Sequence, residues 1–541
     1  PPEIVHECAL MRLWHRADDK FDQPRMSAYF HVSLPGIEDS PDAFVAADML
    51  TLMIHDQLQD RVRYPAELAS LNAGLDVVGQ HTGLSLTFDG FDCKLPRLVR
   101  AYFGAVAAFE LDPARFRKVK EKRLKDLKNY GLKPGRQARS LLHQLLKRRE
   151  ASEASKIAAL EAMEPEALTR FARAAWTGAA HVEGLVIGNV TAEEALAMGA
   201  SIRESFASSA PVAADAFPAR EIAIVPAGDT RFALETQNPE EGTNVVYVYY
   251  QHDVCTHESR AVSLLVHQLI GEKLFDQLRT KEQLGYVASG SLETLYDVGG
   301  FRVTVESAFH SPEFVEERVD AFLLGFPAQV RAMDDAEFVK TRRSLVDSVL
   351  TMDVSLSAEA DRHWTHVSNQ KYQFYRGQIV AGLIDGVSKR EVVAWLEANL
   401  APTAAAPATR RVTIHVHGKN HPLNGAARNA SRNANALGAD AVAALKKKWG
   451  YHPAQGDPAN VPALEMPPEA MARLSNTDVA AARAKAAKAR AEAAARGGDE
   501  APRAMNQWAQ RLADRRAACA VGCACLKPSR GGPFKMPRLT R

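Results

Sequence analysis

Cysteine is scarce in this sequence, with six in 541 residues. Three of them, Cys8, Cys93 and Cys255, stand isolated, which excludes a disulfide-built scaffold and points to free thiols in a reducing compartment. No uninterrupted apolar run approaches the roughly 20 residues of a membrane-spanning helix. The start, Pro1-Pro2-Glu3-Ile4-Val5-His6, has neither the charged nor the apolar segment of a secretory leader. Pro1 stands where an initiator Met is expected, so the expectation is a start inside a longer polypeptide or after processing. Net charge is also small, +2 from 67 Lys/Arg and 65 Asp/Glu. That total conceals an asymmetry, because residues 419–541 carry 21 Lys/Arg and 9 Asp/Glu. An acidic body therefore carries a basic appendage.

Apolar residues are plentiful at 46%, enough for the cores of two or three domains. One order of elements occurs twice. The first copy predicts a strand over 26–34, a long helix over 41–71, strands over 75–80 and 84–88, helices over 95–109, 113–130, 137–149 and 165–176, and a strand over 182–190. The second predicts strands over 221–225, 232–236 and 244–251, a helix over 259–285, and strands over 286–292 and 301–306. Helices over 312–333, 336–350, 358–370 and 389–400 follow, then a strand over 411–417. Leu84-Ser85-Leu86-Thr87-Phe88 aligns with Phe301-Arg302-Val303-Thr304-Val305. A period this long is domain duplication. The fold class is α+β, two tandem homologous domains, each a mixed, mostly antiparallel sheet with helices on one face. The Pro/Ala-rich stretch at 211–218 marks the boundary, giving domains over 1–217 and 218–418. The Ala/Arg/Lys-rich tail over 419–541 reads as mostly disordered with transient helix.

The helix over 259–285 ends with two hydrogen-bond donors, Arg279 and Tyr286, with Gly285 as its expected stop. A guanidinium offers only donors and a phenol can donate, so the pair suits backbone carbonyls of a bound polypeptide. The plainer reading is Arg279 capping the last helix carbonyls and Tyr286 half buried.

The run Arg279-Thr280-Lys281-Glu282-Gln283-Leu284-Gly285-Tyr286 resembles a segment in the C-terminal half of the insulysin branch of the pitrilysin-type (insulinase) zinc metalloendopeptidases. Leu13-Trp14-His15-Arg16-Ala17-Asp18-Asp19-Lys20-Phe21 is similar to that family's entry to its third domain, and Tyr64-Pro65-Ala66-Glu67-Leu68-Ala69 to its Tyr-x-Ala-Glu-Leu-Ala segment. The three occur in the family's order, and the resemblance runs from about Pro1 to His417. It implies the third domain, lacking its opening residues, then the fourth, of a protease whose four homologous domains close around a chamber. It also implies a substrate-binding role for Arg279 and Tyr286.

The family's catalytic element, His-x-x-Glu-His, does not occur among the 17 histidines. His417 and His421 are the only pair four apart, and Asn420 stands where the glutamate belongs. The expectation is therefore no catalytic residue and no metal ligand in this chain, with zinc bound by an N-terminal half outside it. Expected partners are a peptide substrate, that catalytic half, fused or separate, and a possible second copy of the chain, with no membrane. The expected location is cytoplasmic, with mitochondrion and peroxisome left open. The other reading from the same fold is a catalytically inactive scaffold or core subunit. A third, nucleic-acid binding by the basic tail, has only Trp508 as a nearby stacking aromatic.

Lesser constellations read as structural. His252, Cys255 and His257 lie within six residues at a strand-to-helix turn without a fourth ligand. His363 and His366 flank Trp364 on a helix as solvated imidazoles. Cys519, Cys523 and Cys525 lack zinc spacing. His415 and His417 share a strand face, and only a partner carboxylate would make them a site.

Overall fold

A computed structural model describes residues 1–78, 83–213, 216–217, 220–400 and 409–452. The first lobe opens with β1 (Glu3–Glu7), β2 (Met11–Ala17), β3 (Arg25–Ser33), α1 (Pro41–Leu58), α2 (Tyr64–Leu68), β4 (Asn72–Val78) and β5 (Gly83–Phe91). It continues through α3 (Leu95–Ala107), α4 (Pro113–Tyr130), α5 (Pro134–Leu146), α6 (Glu153–Ala162), α7 (Pro165–Thr177), β6 (Ala179–Gly188), α8 (Ala192–Ser205) and β7 (Ala210–Pro211). The second lobe has β8 (Gly228–Glu235), β9 (Asn244–Val254), α9 (His257–Phe275), β10 (Val287–Leu295), β11 (Val298–Ser307), α10 (Pro312–Ala332) and α11 (Asp335–Val349). Then come α12 (Leu356–Ser368), α13 (Arg376–Gly386), α14 (Lys389–Asn399), β12 (Arg410–His417), α15 (Gly425–Ala430), β13 (Arg432–Asn433) and α16 (Ala439–Trp449).

The duplication is visible strand by strand. One sheet runs β4-β5-β3-β6-β2-β1 and the other β10-β11-β9-β12-β8-β13. In each, the fourth and fifth strands pair parallel and the inner pairs are antiparallel. Each central strand is buried on both faces, and its alternation assigns the two faces to different helices. In β3, Met26, Ala28, Phe30 and Val32 pack under the first lobe's own helices, whereas Tyr29 faces Leu356, Ala360 and Val367 of α12. In β9, Val246, Val248 and Tyr250 meet the second lobe's own helices, whereas Val245, Tyr247 and Tyr249 meet Ala138, Leu141, Leu142 and Leu145 of α5. The lobes thus exchange one helix each across their sheets. Polar contacts seal the seam: Arg12 donates to the Tyr372 hydroxyl at 2.7 Å, and the Tyr29 hydroxyl to Asp361 at 2.9 Å.

Several expectations need correction. The long helix expected over 41–71 runs from Pro41 to Leu68 but is not α-helical throughout: α1 ends at Leu58, and a π-helical turn over Gln59–Arg63 leads into α2, whose first turn holds Pro65, a residue with no N–H to donate. The strand over 221–225 is reduced to two single bridges, Ile222 with Lys147 and Ala223 with Tyr451. Strands β1 and β2 and helices α6, α8 and α13 were not predicted, and β2 is the counterpart of β8. Residues 419–452 are folded rather than disordered. There β13 extends the second sheet, and the buried Lys446 donates to the Lys147 and Arg148 carbonyls at 2.8 and 3.1 Å, just beyond α5. The remainder of the tail, with Cys519, Cys523 and Cys525, lies outside the described residues, as does part of the expected boundary at 211–218.

Candidate functional site

Helix α9 starts on a reciprocal cap, Thr256 with Ser259, and buries Ala261, Leu265, Leu269, Ile270 and Leu274. It does not run on to Gly285. The ladder widens into a π-helical turn over Asp276–Lys281, a deviation frequent at functional sites, which buries Leu278 and leaves Arg279 at the surface. Glu282 N–H then bonds the Gln277 carbonyl at 3.0 Å and Leu284 N–H the Leu278 carbonyl at 3.0 Å. Gln283 takes the left-handed turn at φ 53°, not Gly285. Glycine is needed at 285 for a different reason: a Cβ there would sit 1.8 Å from the Glu306 carbonyl oxygen.

That close approach fixes Tyr286 one residue before β10, 80% exposed. The Arg279 guanidinium lies 4.5 Å from the Tyr286 ring centroid and 4.9 Å from that of Phe275, stacking worth about 0.5–1 kcal/mol at an exposed site. Among the described residues Arg279 makes no ion pair, so its planar face is held while its donors remain unspent. Neighbouring charges are satisfied: Glu282 accepts from Arg318 at 2.7 Å and from Gln277 at 2.7 Å, which holds its carboxyl below the usual range. The expected helix-capping role of Arg279 is not what the geometry shows, and Tyr286 is exposed rather than half buried.

Gly285→Ala is expected to lower the unfolding midpoint by the equivalent of about 1–3 kcal/mol, because backbone must move to admit the methyl. Gly325→Ala is the control, since an added Cβ on that α10 position meets nothing within 4 Å. Equal midpoints for both variants would overturn the steric account.

The same end of the second sheet carries a polar cluster that sequence reading left half assembled. His415 and His417 lie on one face of β12, 7% and 3% exposed, and the first turns of α10 supply the carboxylates Glu313 and Glu316. His417 Nε2 is 3.9 Å from Glu313 Oε1, and His415 Nε2 is 3.1 Å from Glu316 Oε2. Glu316 also accepts from Arg231 at 2.6 and 2.7 Å and from Arg411 at 2.6 Å. Burial raises its carboxyl, but the His415 and Arg411 contacts prevail and push it down to about 2. The signal for these acids was available as Ser311-Pro312-Glu313 with Glu316 one turn on. Nothing in the sequence paired it with a strand more than ninety residues away.

Other candidates resolve structurally. His252 stacks edge-on to Trp395 at 4.5 Å, and His252, Cys255 and His257 do not gather as ligands. His363 and His366 are not solvated: they are 3% and 6% exposed, against Phe374. His421 contributes its backbone carbonyl to His417 Nδ1 at 3.0 Å. Cys8, Cys93 and Cys255 are free thiols. Among the described residues no helix is long and apolar enough to cross a membrane.

The described residues thus form two homologous α+β lobes with exchanged helices, with Arg279 and Tyr286 at one sheet end. Comparison with known proteins agrees. Residues 1–159 match the family described as the middle or third domain of peptidase M16, and residues 265–364 match the C-terminal lobe domain 4 of PqqF-like PQQ synthase. The chain is thus similar to the M16 peptidase family, and its insulysin-like members in particular. It is 27% identical to a nardilysin-like protein of Arabidopsis thaliana over 77% of this chain and 40% of that one. It is also 27% identical to the insulin-degrading enzyme of Bos taurus, with 77% and 40% covered. The chain thus spans about 40% of the length of these relatives. Among solved structures, pitrilysin superposes with a TM-score of 0.72 at 17% identity, over 84% of this chain and 47% of that one. The M16 peptidase inactive domain from Pseudomonas fluorescens superposes with a TM-score of 0.59 at 12% identity, over 77% and 98%. The family is zinc-dependent, yet these 541 residues contain no His-x-x-Glu-His. The family's zinc centre does not fit the residues present.

Proposed function

We propose that this chain is the C-terminal, non-catalytic half of an insulysin-like zinc endopeptidase. A catalytic half outside these residues supplies the zinc, which activates water and polarises the scissile carbonyl. Arg279 and Tyr286 donate hydrogen bonds to the backbone carbonyls of the bound peptide and hold it in line, while the two lobes wall the chamber. The observation that carries this reading is the Arg279 guanidinium, set against the Phe275 and Tyr286 rings and, among the described residues, in no ion pair. Donors to backbone carbonyls grip a polypeptide without reading its side chains, so the substrates are peptides of varied sequence. Free thiols fit a cytoplasmic setting.

The test is reconstitution with a family-type N-terminal half and an internally quenched peptide. Activity is expected only on mixing. Arg279→Ala and Tyr286→Phe should each lower kcat/KM by about 10–100-fold, the worth of a charged or buried hydrogen bond, with bound zinc unchanged. Wild-type turnover in both variants would sink the assignment. A second reading, an inactive core subunit of the same fold, draws on the solved M16 inactive domain that this chain covers almost entirely. It predicts no activity on mixing.

A further inference from the structure

The peptide-holding reading leaves the buried imidazoles of β12 without a task. We infer that His415, His417 and Glu313 form a binding site for a zinc-class divalent cation, distinct from any His-x-x-Glu-His centre and independent of the proposed proteolytic role. Each of the three places a ligand atom within 4.8 Å of the other two. The strand sets its two imidazoles on one face, and α10 crosses that face with Glu313 in its first turn.

Three observations point to a ligand rather than to an ion pair. First, His417 Nδ1 lies 3.0 Å from the His421 carbonyl, which can only accept, so Nδ1 carries the proton and Nε2 the lone pair. A backbone anchor of this kind fixes the tautomer and ring of a metal-ligating histidine. Second, that Nε2 is buried without a hydrogen-bond partner, whereas the His415 Nε2, also buried, has the Glu316 carboxylate 3.1 Å away, a contact a cation would compete with. A buried acceptor without a donor costs about 1–3 kcal/mol, which a cation would remove. Third, the 3.9 Å between His417 Nε2 and Glu313 Oε1 is too long for a hydrogen bond. It is close to the roughly 3.3 Å that two ligands of tetrahedral zinc keep when each bond is about 2.0–2.2 Å. Glu316, by contrast, is already taken by Arg231, Arg411 and His415.

Two nitrogens and one carboxylate favour zinc over calcium or magnesium, which take oxygen ligands. Glu313 is half exposed, so entry and a fourth, water position lie on its side. The site is built at a stitched rim: Asn244 accepts from Gly418 N–H at 2.8 Å and donates to the His310 carbonyl at 3.0 Å. A bound cation would fasten the start of α10 to the end of β12, at the sheet end where Tyr286 enters β10.

The test uses the full chain, stripped with a chelator and titrated with Co²⁺ by visible absorption, then displaced by Zn²⁺. One equivalent is expected, with ligand-field bands of a nitrogen and oxygen set, and Zn²⁺ should raise the unfolding temperature. Glu313→Gln, at a half-exposed position, should weaken binding at least about tenfold while leaving the metal-free unfolding temperature unchanged; His417→Gln should abolish it. Three results would overturn the inference: no binding at micromolar metal, binding indifferent to Glu313→Gln, or a thiolate charge-transfer band that assigns the metal to cysteine.

Discussion

Replacing Arg411 with methionine is expected to cost about 3–5 kcal/mol, the loss typical when one partner of a buried charge pair is removed. Arg411 is 4% exposed and is shared by three carboxylates on two elements. It bonds Glu316 at 2.6 Å and Asp320 at 3.0 Å, lies 3.8 Å from Asp229, and its guanidinium sits 5.6 Å from the Tyr250 ring centroid. Methionine keeps much of the volume and none of the charge. Glu316 would retain Arg231 and His415, but Asp320 would lose its guanidinium partner where burial already raises its pKa. Adding Asp320→Asn to Arg411→Met should therefore recover part of the loss, a coupling a double-mutant cycle on unfolding midpoints reads directly. Full additivity of the two changes would mean that the cluster is not a unit.

Acidification should act most strongly on the seam between the lobes. Burial, with Arg362 adding, pushes His363 down to about 4 despite its contact with Glu359. Burial and the Arg376 charge push His366 down to about 3. A histidine lowered on folding binds its proton more readily in the unfolded chain. Its contribution is complete above about pH 6.5 and is lost as pH falls towards the folded value. For His363, a drop from 6.5 to about 4 corresponds to about 3 kcal/mol, and His366 acts in the same direction. Glu38 opposes them: burial and Glu150 raise it to about 8, so its contribution is complete below about 4.5 and fades as pH rises to 8. The unfolding midpoint should peak near pH 6.5 and fall by the equivalent of about 2 kcal/mol by pH 4.5, the loss from the two histidines being partly offset by Glu38. Near-ultraviolet signals from the Trp14–Tyr372 stack, 5.0 Å between centroids, should follow it. A flat midpoint between pH 7 and 5 would contradict the burial of these rings.

Much of this was legible because it rests on local patterning. Periodicity two gave the central strands, and periodicity 3.6 with caps such as Ser311-Pro312 and Thr256 gave the main helices. The repeated order of elements gave the duplication. Arg279 and Tyr286 could be singled out by residue type and resemblance. What failed was set by longer-range geometry. The demand for glycine at 285 comes from the packing of that loop onto the Glu306 carbonyl, and the π-turn after Phe275 has no mark in the apolar periodicity. The burial of His363 and His366 comes from α12 crossing the other lobe's sheet, which its helical pattern could not distinguish from facing water.

By itself the sequence determined the fold class, the two-lobe duplication, the absence of a His-x-x-Glu-His centre and the pair of donors that could grip a peptide. These follow from hydrophobic period, motif spacing and residue chemistry, which act over a few turns of chain. Only the tertiary structure decided that α5 and α12 change lobes, that Arg279 is held against two rings and, among the described residues, in no ion pair, and that Glu313 meets His415 and His417. Each of those is a contact between segments distant in sequence, and its energy comes from burial and charge pairing that exist only once the sheets are packed.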